Sequence, residues 1–170
     1  VCYPALAVNA LSQAGHPVEM ETCPGGAVEP REGWPPLPGE YSVLGYRAPV
    51  AICTLTDREL ARALVRAAPR GVSIVGTLQT ENLGIERLLL NLLANPHIRF
   101  LVVCGADSRQ AVGHLPGQSL LALSRGGLDA EGRIAGALGR RPILRNLPEG
   151  AAGHFRETVE VVDLVSEAGV

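Results

Sequence analysis

The chain has 170 residues, which is the size of one ordinary domain. Its apolar fraction of 46% supplies a core and excludes a disordered protein. Fifteen Lys and Arg residues against 17 Asp and Glu residues, with only 4% aromatic residues, provide neither a basic stripe nor stacking surfaces, so no nucleic acid is expected as a partner.

The first forty residues differ in composition from the rest of the chain. Residues 4–14 predict a short helix, with Pro4 in its first turn and Gly15 after its end. Residues 23–40 are rich in proline, which lacks an N–H donor, and predict a connector wrapped on the surface with Trp34 as its anchor. We therefore expect an N-terminal helix and Pro/Gly-rich extension over residues 1–40 and an α/β domain over residues 41–170.

From Ala48 onward, apolar runs of strand length alternate with helical periodicity. Thr56 and Thr80 are the expected N-caps of the first two helices of this region. The alternation predicts right-handed βαβ units, and hence a three-layer, Rossmann-like α/β domain with a mostly parallel sheet. Strands are predicted over 48–55, 71–77, 97–104 and 141–146, helices over 57–68, 81–95 and 117–125, a helical turn or two over 149–156, and a strand or helix over 158–165.

The four cysteines form no CxxC pair. Cys53 and Cys104 lie in apolar runs and are expected to be reduced core residues, whereas pairing or metal binding by Cys2 and Cys23 stays open. No apolar run approaches the ~20 residues that span a bilayer, and no signal peptide is visible. These patterns predict a cytoplasmic protein with no membrane anchor in this chain.

Three loops are expected to lie together, because ligands bind beyond the carboxyl ends of strands in parallel sheets. They cover residues 77–82, 105–119 and 135–142. The familiar motifs GxGxxG, GxxxxGK[ST], GxSxG and HExxH are absent, so no standard dinucleotide, P-loop, serine-hydrolase or zinc-protease site is predicted. Any ligand that the three loops bind is therefore expected to be held by a site outside these four classes.

Two loop segments admit either a ligand-binding or a purely structural interpretation. Residues 76–86 join a strand to a helix and offer free backbone donors, but they also suit a simple helix N-cap. In the second segment His114 stands between glycines, so it is either a metal ligand or a cap of the following helix. As a ligand, its tautomer would be set by a carboxylate such as Asp107. The other histidines are expected to be structural or solvent-exposed: His16, His97 and His154.

Five sequence words occur in order from about Gly33 to Val165: GWPP, TENLGIE, NPHIRFLVVCGAD, GHLPGQS and VEVVDL. Together they resemble the A subunit of tetrahydromethanopterin S-methyltransferase, which carries a corrinoid. Members of that family usually end in a membrane helix; this sequence departs from them there, so we expect a soluble relative without that helix. The resemblance implies that its cofactor is cobalamin or a related cobamide. Its cobalt would accept a methyl group from a methylated pterin, the indirect donor, and pass it to a thiol or other acceptor with partner methyltransferase proteins.

The resemblance also implies which residues hold the cofactor. His114 would be a possible axial ligand of cobalt, and no catalytic residue is assigned. The methionine synthase pattern DxHxxG is incomplete, because Val112 stands where that pattern has Asp; the binding mode is therefore expected to differ, with base-on, base-off and His-on ligation all open. The implied contact residues are Thr77, Thr80, Glu81, Asn82, Leu83, Gly84, Gly105, Ala106, Asp107, His114, Leu115, Pro116, Gly117, Gln118, Ser119, Gly136 and Gly139.

Two alternatives to methyl transfer are also considered. The first is a non-catalytic cobalamin-binding or storage module. The second is a structural domain that keeps the fold without a cofactor, against which the glycines around His114 argue, since a scaffold has no need of them. A measurable affinity for cobamide would exclude the structural domain. Methylation by a pterin-dependent partner would then distinguish a methyl carrier from a storage module.

Overall fold

The computed structural model describes residues 31–108 and 113–165. The predicted N-terminal helix, with Cys2, His16 and Cys23, lies outside the described residues. In chain order the elements are β1 (Tyr41–Val43), β2 (Val50–Cys53), α1 (Arg58–Ala67), β3 (Val72–Gly76), α2 (Leu83–Leu93), β4 (Phe100–Cys104), α3 (Pro116–Gly126), α4 (Ala151–Thr158) and β5 (Glu160–Leu164).

The strands form one five-stranded sheet in the order β1-β3-β2-β4-β5. β2 runs parallel to β3 and β4, and β4 runs parallel to β5. Only β1 is antiparallel, against β3. The predicted α/β fold with a mostly parallel sheet is confirmed, and the alternative left open for residues 158–165 is settled as a strand. The three-layer, Rossmann-like classification stays a prediction.

Helices lie on both faces of β3. Ile74 lines a cavity together with Leu88 of α2, whereas its neighbour Val75 lines a cleft together with Val65 of α1. Successive strand residues point to opposite faces, so α2 and α1 occupy opposite faces of the sheet. The main core cluster extends over α2, α3 and α4, with Phe155 of α4 fully buried in it.

Trp34 anchors residues 31–40, the part of the proline-rich segment that the structure describes, as predicted; the surface wrap itself stays a prediction. Its ring is buried, and its Nε1 donates a hydrogen bond of 2.7 Å to the carbonyl oxygen of Asn91 in α2. The ring also meets Tyr46 edge-on, with centroids 5.3 Å apart. His97 packs edge-on against the same tyrosine and is otherwise exposed, and His154 is exposed on α4, so both match the structural or solvent-exposed role expected for them.

The two cysteines in the strands are free. Cys53 is buried, and Cys104 is half-buried at the end of β4. Burial raises the pKa of the Cys53 thiol to about 12, despite an opposing hydrogen bond with the backbone of Leu55. Cys53 therefore stays a protonated core residue at neutral pH, which agrees with its predicted structural role.

Both predicted helix caps were wrong. The N-cap of α1 is Asp57, whose carboxylate accepts from the Leu60 N–H at 2.9 Å, whereas the Thr56 hydroxyl donates to the carbonyl oxygen of Ala106 at 2.8 Å. α2 begins at Leu83, with Asn82 as its N-cap. Each helix begins one or two residues later than predicted, because several adjacent polar residues could serve as caps.

The strand predicted over residues 141–146 is also wrong. Within it only Ile143 makes an isolated bridge, to Arg133. The backbone N–H groups of Arg145 and Asn146 instead donate to the buried carboxylate of Glu86, at 2.6 and 3.0 Å. A carboxylate of α2 thus takes the donors that a neighbouring strand would have needed.

Candidate functional site

One buried carboxylate joins the three loops that follow the strands. Glu81, in the loop between β3 and α2, is fully buried. It accepts hydrogen bonds from the Leu115 N–H at 2.9 Å and from the Arg141 N–H at 2.5 Å. Its Oε1 also lies 2.8 Å from Nδ1 of His114. A single buried side chain therefore contacts all three of the loops that were expected to lie together.

The environment of Glu81 determines the tautomer of His114. Burial opposes ionisation of the carboxyl, but the N–H groups of Arg141 and Leu115, together with His114, outweigh it, so the pKa of Glu81 lies below its usual value. An ionised carboxylate can only accept hydrogen bonds, so Nδ1 of His114 carries the proton. In the neutral ring, Nε2 then holds the lone pair, as a metal ligand requires.

His114 is accessible from solvent. Its side chain is 39% exposed, and it lines an open cleft with Asn82, Arg140 and Arg141. The two arginines were not among the predicted site residues, although the Gly-Arg-Arg run at the end of the third loop was a visible signal. Their guanidinium groups make no ion pair among the described residues, so the cleft beside the imidazole carries positive charge.

Asp107 does not orient His114, contrary to the suggestion from sequence. Its carboxylate accepts from the N–H groups of Gly117 and Gln118, each at 2.9 Å, and so caps the first turn of α3. A carboxylate at a helix N-terminus satisfies donors that have no partner within the helix and interacts favourably with the helix dipole. Asp107 therefore positions the helix that follows His114 rather than the imidazole itself.

The third loop approaches Glu81 closely at Gly139. A Cβ atom built on Gly139 would lie 1.7 Å from Oε2 of Glu81, so only glycine fits there without displacing the carboxylate. Farther along, the Gln118 side chain fastens the same loop: its Nε2 donates to the Gly136 carbonyl oxygen at 3.0 Å, and its Oε1 accepts from the Leu138 N–H at 2.8 Å. The loop is therefore fixed at two points.

Apolar side chains also stand at this edge of the sheet. Leu83 at the start of α2 is 47% exposed, and Leu138 in the third loop is 76% exposed. Single exposed leucines are common on protein surfaces, so these two provide apolar surface at this edge without by themselves indicating a ligand. Leu83 was among the predicted contacts, whereas Leu138 was not.

Several predicted contact residues have other roles or are buried. The Thr77 N–H and hydroxyl both bond to Glu40, beside β1. The Thr80 hydroxyl accepts from the Gly84 N–H at 2.8 Å. Other predicted contacts serve the backbone or are buried. Ala106 accepts two bonds from Thr56 through its carbonyl, Gly105 forms a turn with positive φ, and Pro116, Gly117 and Ser119 are buried at the start of α3.

Membrane-spanning helices and clustered metal ligands are both missing from residues 31–108 and 113–165. Within these ranges no helix is both long enough and apolar enough to span a bilayer. The same residues contain no group of three or more His, Cys, Asp or Glu side chains arranged to hold a metal ion. The cytoplasmic location stays a prediction.

Comparison with known proteins gives consistent matches over most of the chain. The family model that describes the A subunit of tetrahydromethanopterin S-methyltransferase matches residues 27–170. The chain is 47% identical to the A 2 subunit of that enzyme from Methanothermobacter thermautotrophicus, over 79% of this chain and 70% of the relative. It is 41% identical to the A 1 subunit from the same organism over 80% of this chain and 55% of the relative. It is 44% identical to the A subunit from Methanopyrus kandleri over 77% of this chain and 52% of the relative.

Proposed function

The chain belongs to the family formed by the A subunit of tetrahydromethanopterin S-methyltransferase, and from that premise we propose that it is a cobamide-carrying methyl-transfer protein. Its methyl donor would be a methylated pterin, acting through a partner methyltransferase protein, and its acceptor a thiol or another nucleophile. The observation that carries the proposal is the exposed His114 imidazole, whose Nδ1 is held by the buried carboxylate of Glu81.

The donor chemistry of this site fits a cobamide. A metal-ligating histidine commonly gives its other ring N–H to a carboxylate, which fixes the tautomer and strengthens the ligand. His114 meets that requirement through Glu81, 2.8 Å from Nδ1. One imidazole supplies one coordination position, and a corrin supplies four more from its own nitrogens. The exposed Leu83 and Leu138 offer apolar surface to such a broad ring.

When bound, the cobamide supplies a cobalt centre that takes up and gives away a methyl group. The chain's own residues would hold the cobamide, and His114 would offer it the lone pair of one ring nitrogen. Glu81 keeps the proton on Nδ1 of His114, so the lone pair of Nε2 stays available to the metal. Gly139 leaves room for the carboxylate, and Gln118 holds the third loop in place beside it.

The test is reconstitution with hydroxocobalamin, removal of free ligand and recording of the visible spectrum. The wild-type protein should retain the corrinoid with a spectrum altered from that of the free ligand. His114→Ala should retain the corrinoid but lose the spectral signature of imidazole ligation. His154→Ala, an exposed histidine of α4, is the matched control and should behave as wild type. A protein that retains no corrinoid would contradict the proposal.

A second measurement separates a methyl carrier from a storage module. The reduced, corrinoid-loaded protein is offered methyl groups by a pterin-dependent methyltransferase, and the methylated fraction is followed spectroscopically. Transfer supports the carrier function. Tight corrinoid binding with no transfer from any such partner would favour the storage function instead.

A further inference from the structure

One face of the sheet is open over β4. Leu101 and Val103 are buried in the core cluster, and Leu101 lines the cavity beside α2. Successive side chains of a strand alternate between the two faces, so Phe100 and Val102 point to the opposite face, which carries α1. There Phe100 is 38% exposed and Val102 is only half-buried. The two faces of this strand therefore differ sharply in burial.

The open region extends onto β5, at the edge of the sheet. Val162 pairs with Val102 in the parallel register, and Leu164 is the next residue of β5 on the same side, so both share the face of Val102. Leu164 is 58% exposed and Val162 is half-buried. We call Phe100, Val102, Val162 and Leu164 the open face.

The helix α1 is too far away to cover the open face. It lies over β3, with Val65 beside Val75, and β2 separates β3 from β4. Strands are ~4.8 Å apart, so β4 and β5 lie roughly 10 and 14 Å from β3, whereas a helix with its side chains is about 10–12 Å across. The helices α2, α3 and α4 pack with one another on the opposite face. Parallel sheets normally have both faces covered, yet no helix within residues 31–108 and 113–165 covers this one.

The described chain starts beside the open face. The guanidinium of Arg31 lies over the Tyr46 ring, 5.1 Å from its centroid, and that ring meets His97 edge-on. His97 stands just before β4, whose first residue is Phe100. Residues 15–30 can span up to about 50 Å, whereas a five-residue strand such as β4 is only about 17 Å long. Residues that precede them can therefore reach every part of the open face.

Residues 4–14 have the sequence of a helix that covers a sheet. At 3.6 residues per turn, Asn9, Ser12 and Gln13 share one side of the predicted helix. The apolar stripe on the other side consists of Leu6, Ala7, Ala10, Leu11 and Ala14. The segment contains no Asp, Glu, Lys or Arg, and as a helix it would be about 16 Å long, close to the length of β4. A helix this short is only marginally stable alone in water, so it needs a surface on which to pack.

We propose that residues 4–14 form a helix that packs on the open face beside α1, with Leu6 and Leu11 over Val102 and Val162. The apolar stripe and the open face match in length and in apolar character, so each removes the other from water. The family model starts at residue 27, so the contact involves a part of this chain outside that match. The inference needs no corrinoid and is independent of the proposed function.

The first test measures access of solvent to the open face in the full chain. A soluble gadolinium chelate broadens the NMR signals of exposed methyl groups. In the wild-type protein the methyl groups of Val102 and Val162 should be as protected as those of the buried Val103. Leu11→Asp places a charge in the apolar stripe and should increase the broadening at Val102 and Val162 severalfold, with Val103 unchanged. The matched control is Ser12→Asp, the same new side chain on the polar side, which should leave all three as in the wild type.

The reciprocal test changes the sheet and follows residues 4–14 by hydrogen exchange. Their amide groups should be protected at least about tenfold relative to an unfolded chain. Leu164→Asp should remove this protection, and because Leu164 is exposed the substitution leaves the core intact. Leu138→Asp, which changes an exposed leucine of the third loop, is the matched control and should retain the protection.

Three results would overturn the proposal. The first is unprotected amides in residues 4–14, or methyl groups of Val102 and Val162 that are open to solvent in the wild-type protein. The second is protection of residues 4–14 that survives Leu164→Asp, since the helix would then pack elsewhere. The third is a dimer in sedimentation whose open face stays protected in Leu11→Asp, which would assign the face to a second copy of the chain.

Discussion

Replacement of Glu81 by glutamine tests the central contact of the site. Oε1 of Glu81 accepts hydrogen bonds from the Arg141 N–H and from Nδ1 of His114, and Oε2 accepts one from the Leu115 N–H. Glutamine offers one oxygen, so its NH₂ group must face at least one N–H donor inside the protein. The charge that strengthens the remaining bonds is also lost.

The magnitude follows from these contacts. One buried donor left without a partner costs about 1–3 kcal/mol, and each charged hydrogen bond that becomes neutral loses about 1 kcal/mol. Glu81→Gln should therefore lower the free energy of unfolding by about 3 kcal/mol and, for a chain of this length, the Tm by roughly 6–12 °C. Urea unfolding at pH 7 measures the first quantity and calorimetry the second.

Glu86→Gln is the matched control. Glu86 is buried on α2, and its carboxylate also accepts two bonds on Oε1 and one on Oε2, from Arg145 and Asn146. Both variants should lose comparable stability. Only Glu81→Gln should change the tautomer of His114, which ¹⁵N-detected NMR of the imidazole reports directly. A stability loss below about 1 kcal/mol in Glu81→Gln, or an unchanged Nδ1–H tautomer, would refute the reasoning.

Three further predictions concern the same loops. Because the pKa of Glu81 is lowered, the stability that its ionised carboxylate contributes is complete above the ordinary glutamate pKa of ~4.3 and is lost as pH falls through the folded-state pKa. The difference in unfolding free energy between wild type and Glu81→Gln should therefore shrink below about pH 4. A difference independent of pH would contradict the lowered pKa of Glu81. Gly139→Ala should displace the Glu81 carboxylate and reduce both stability and the Nδ1–H population of His114, whereas Gly153→Ala, on an exposed turn of α4 with open space around it, should be neutral or stabilising in the same assays. Asp107→Ala removes the carboxylate that caps α3 and should lower the free energy of unfolding in urea by about 1–2 kcal/mol, with the His114 tautomer unchanged. A changed tautomer in this variant would show that Asp107 orients His114 after all.

Much of the fold was predictable because its signals are local. Short apolar runs such as Val72–Gly76 and Phe100–Cys104, each followed by a polar loop, indicate strands of a parallel sheet. The order of strands and helices then brings the three loops to one edge of the sheet. The element that local patterns missed was Tyr41–Val43, whose three residues are too few to show a period.

The sequence by itself determined the family of this chain, the α/β architecture and the candidacy of His114. Only the tertiary structure decided which carboxylate orients that histidine, because Glu81 and His114 are 33 residues apart in the chain and no local rule pairs them. Likewise, residues 141–146 have the composition of a strand, but their donors are used by Glu81 and Glu86. A buried carboxylate must find its donors wherever the fold brings them, and that is a property of the assembled loops rather than of any one segment.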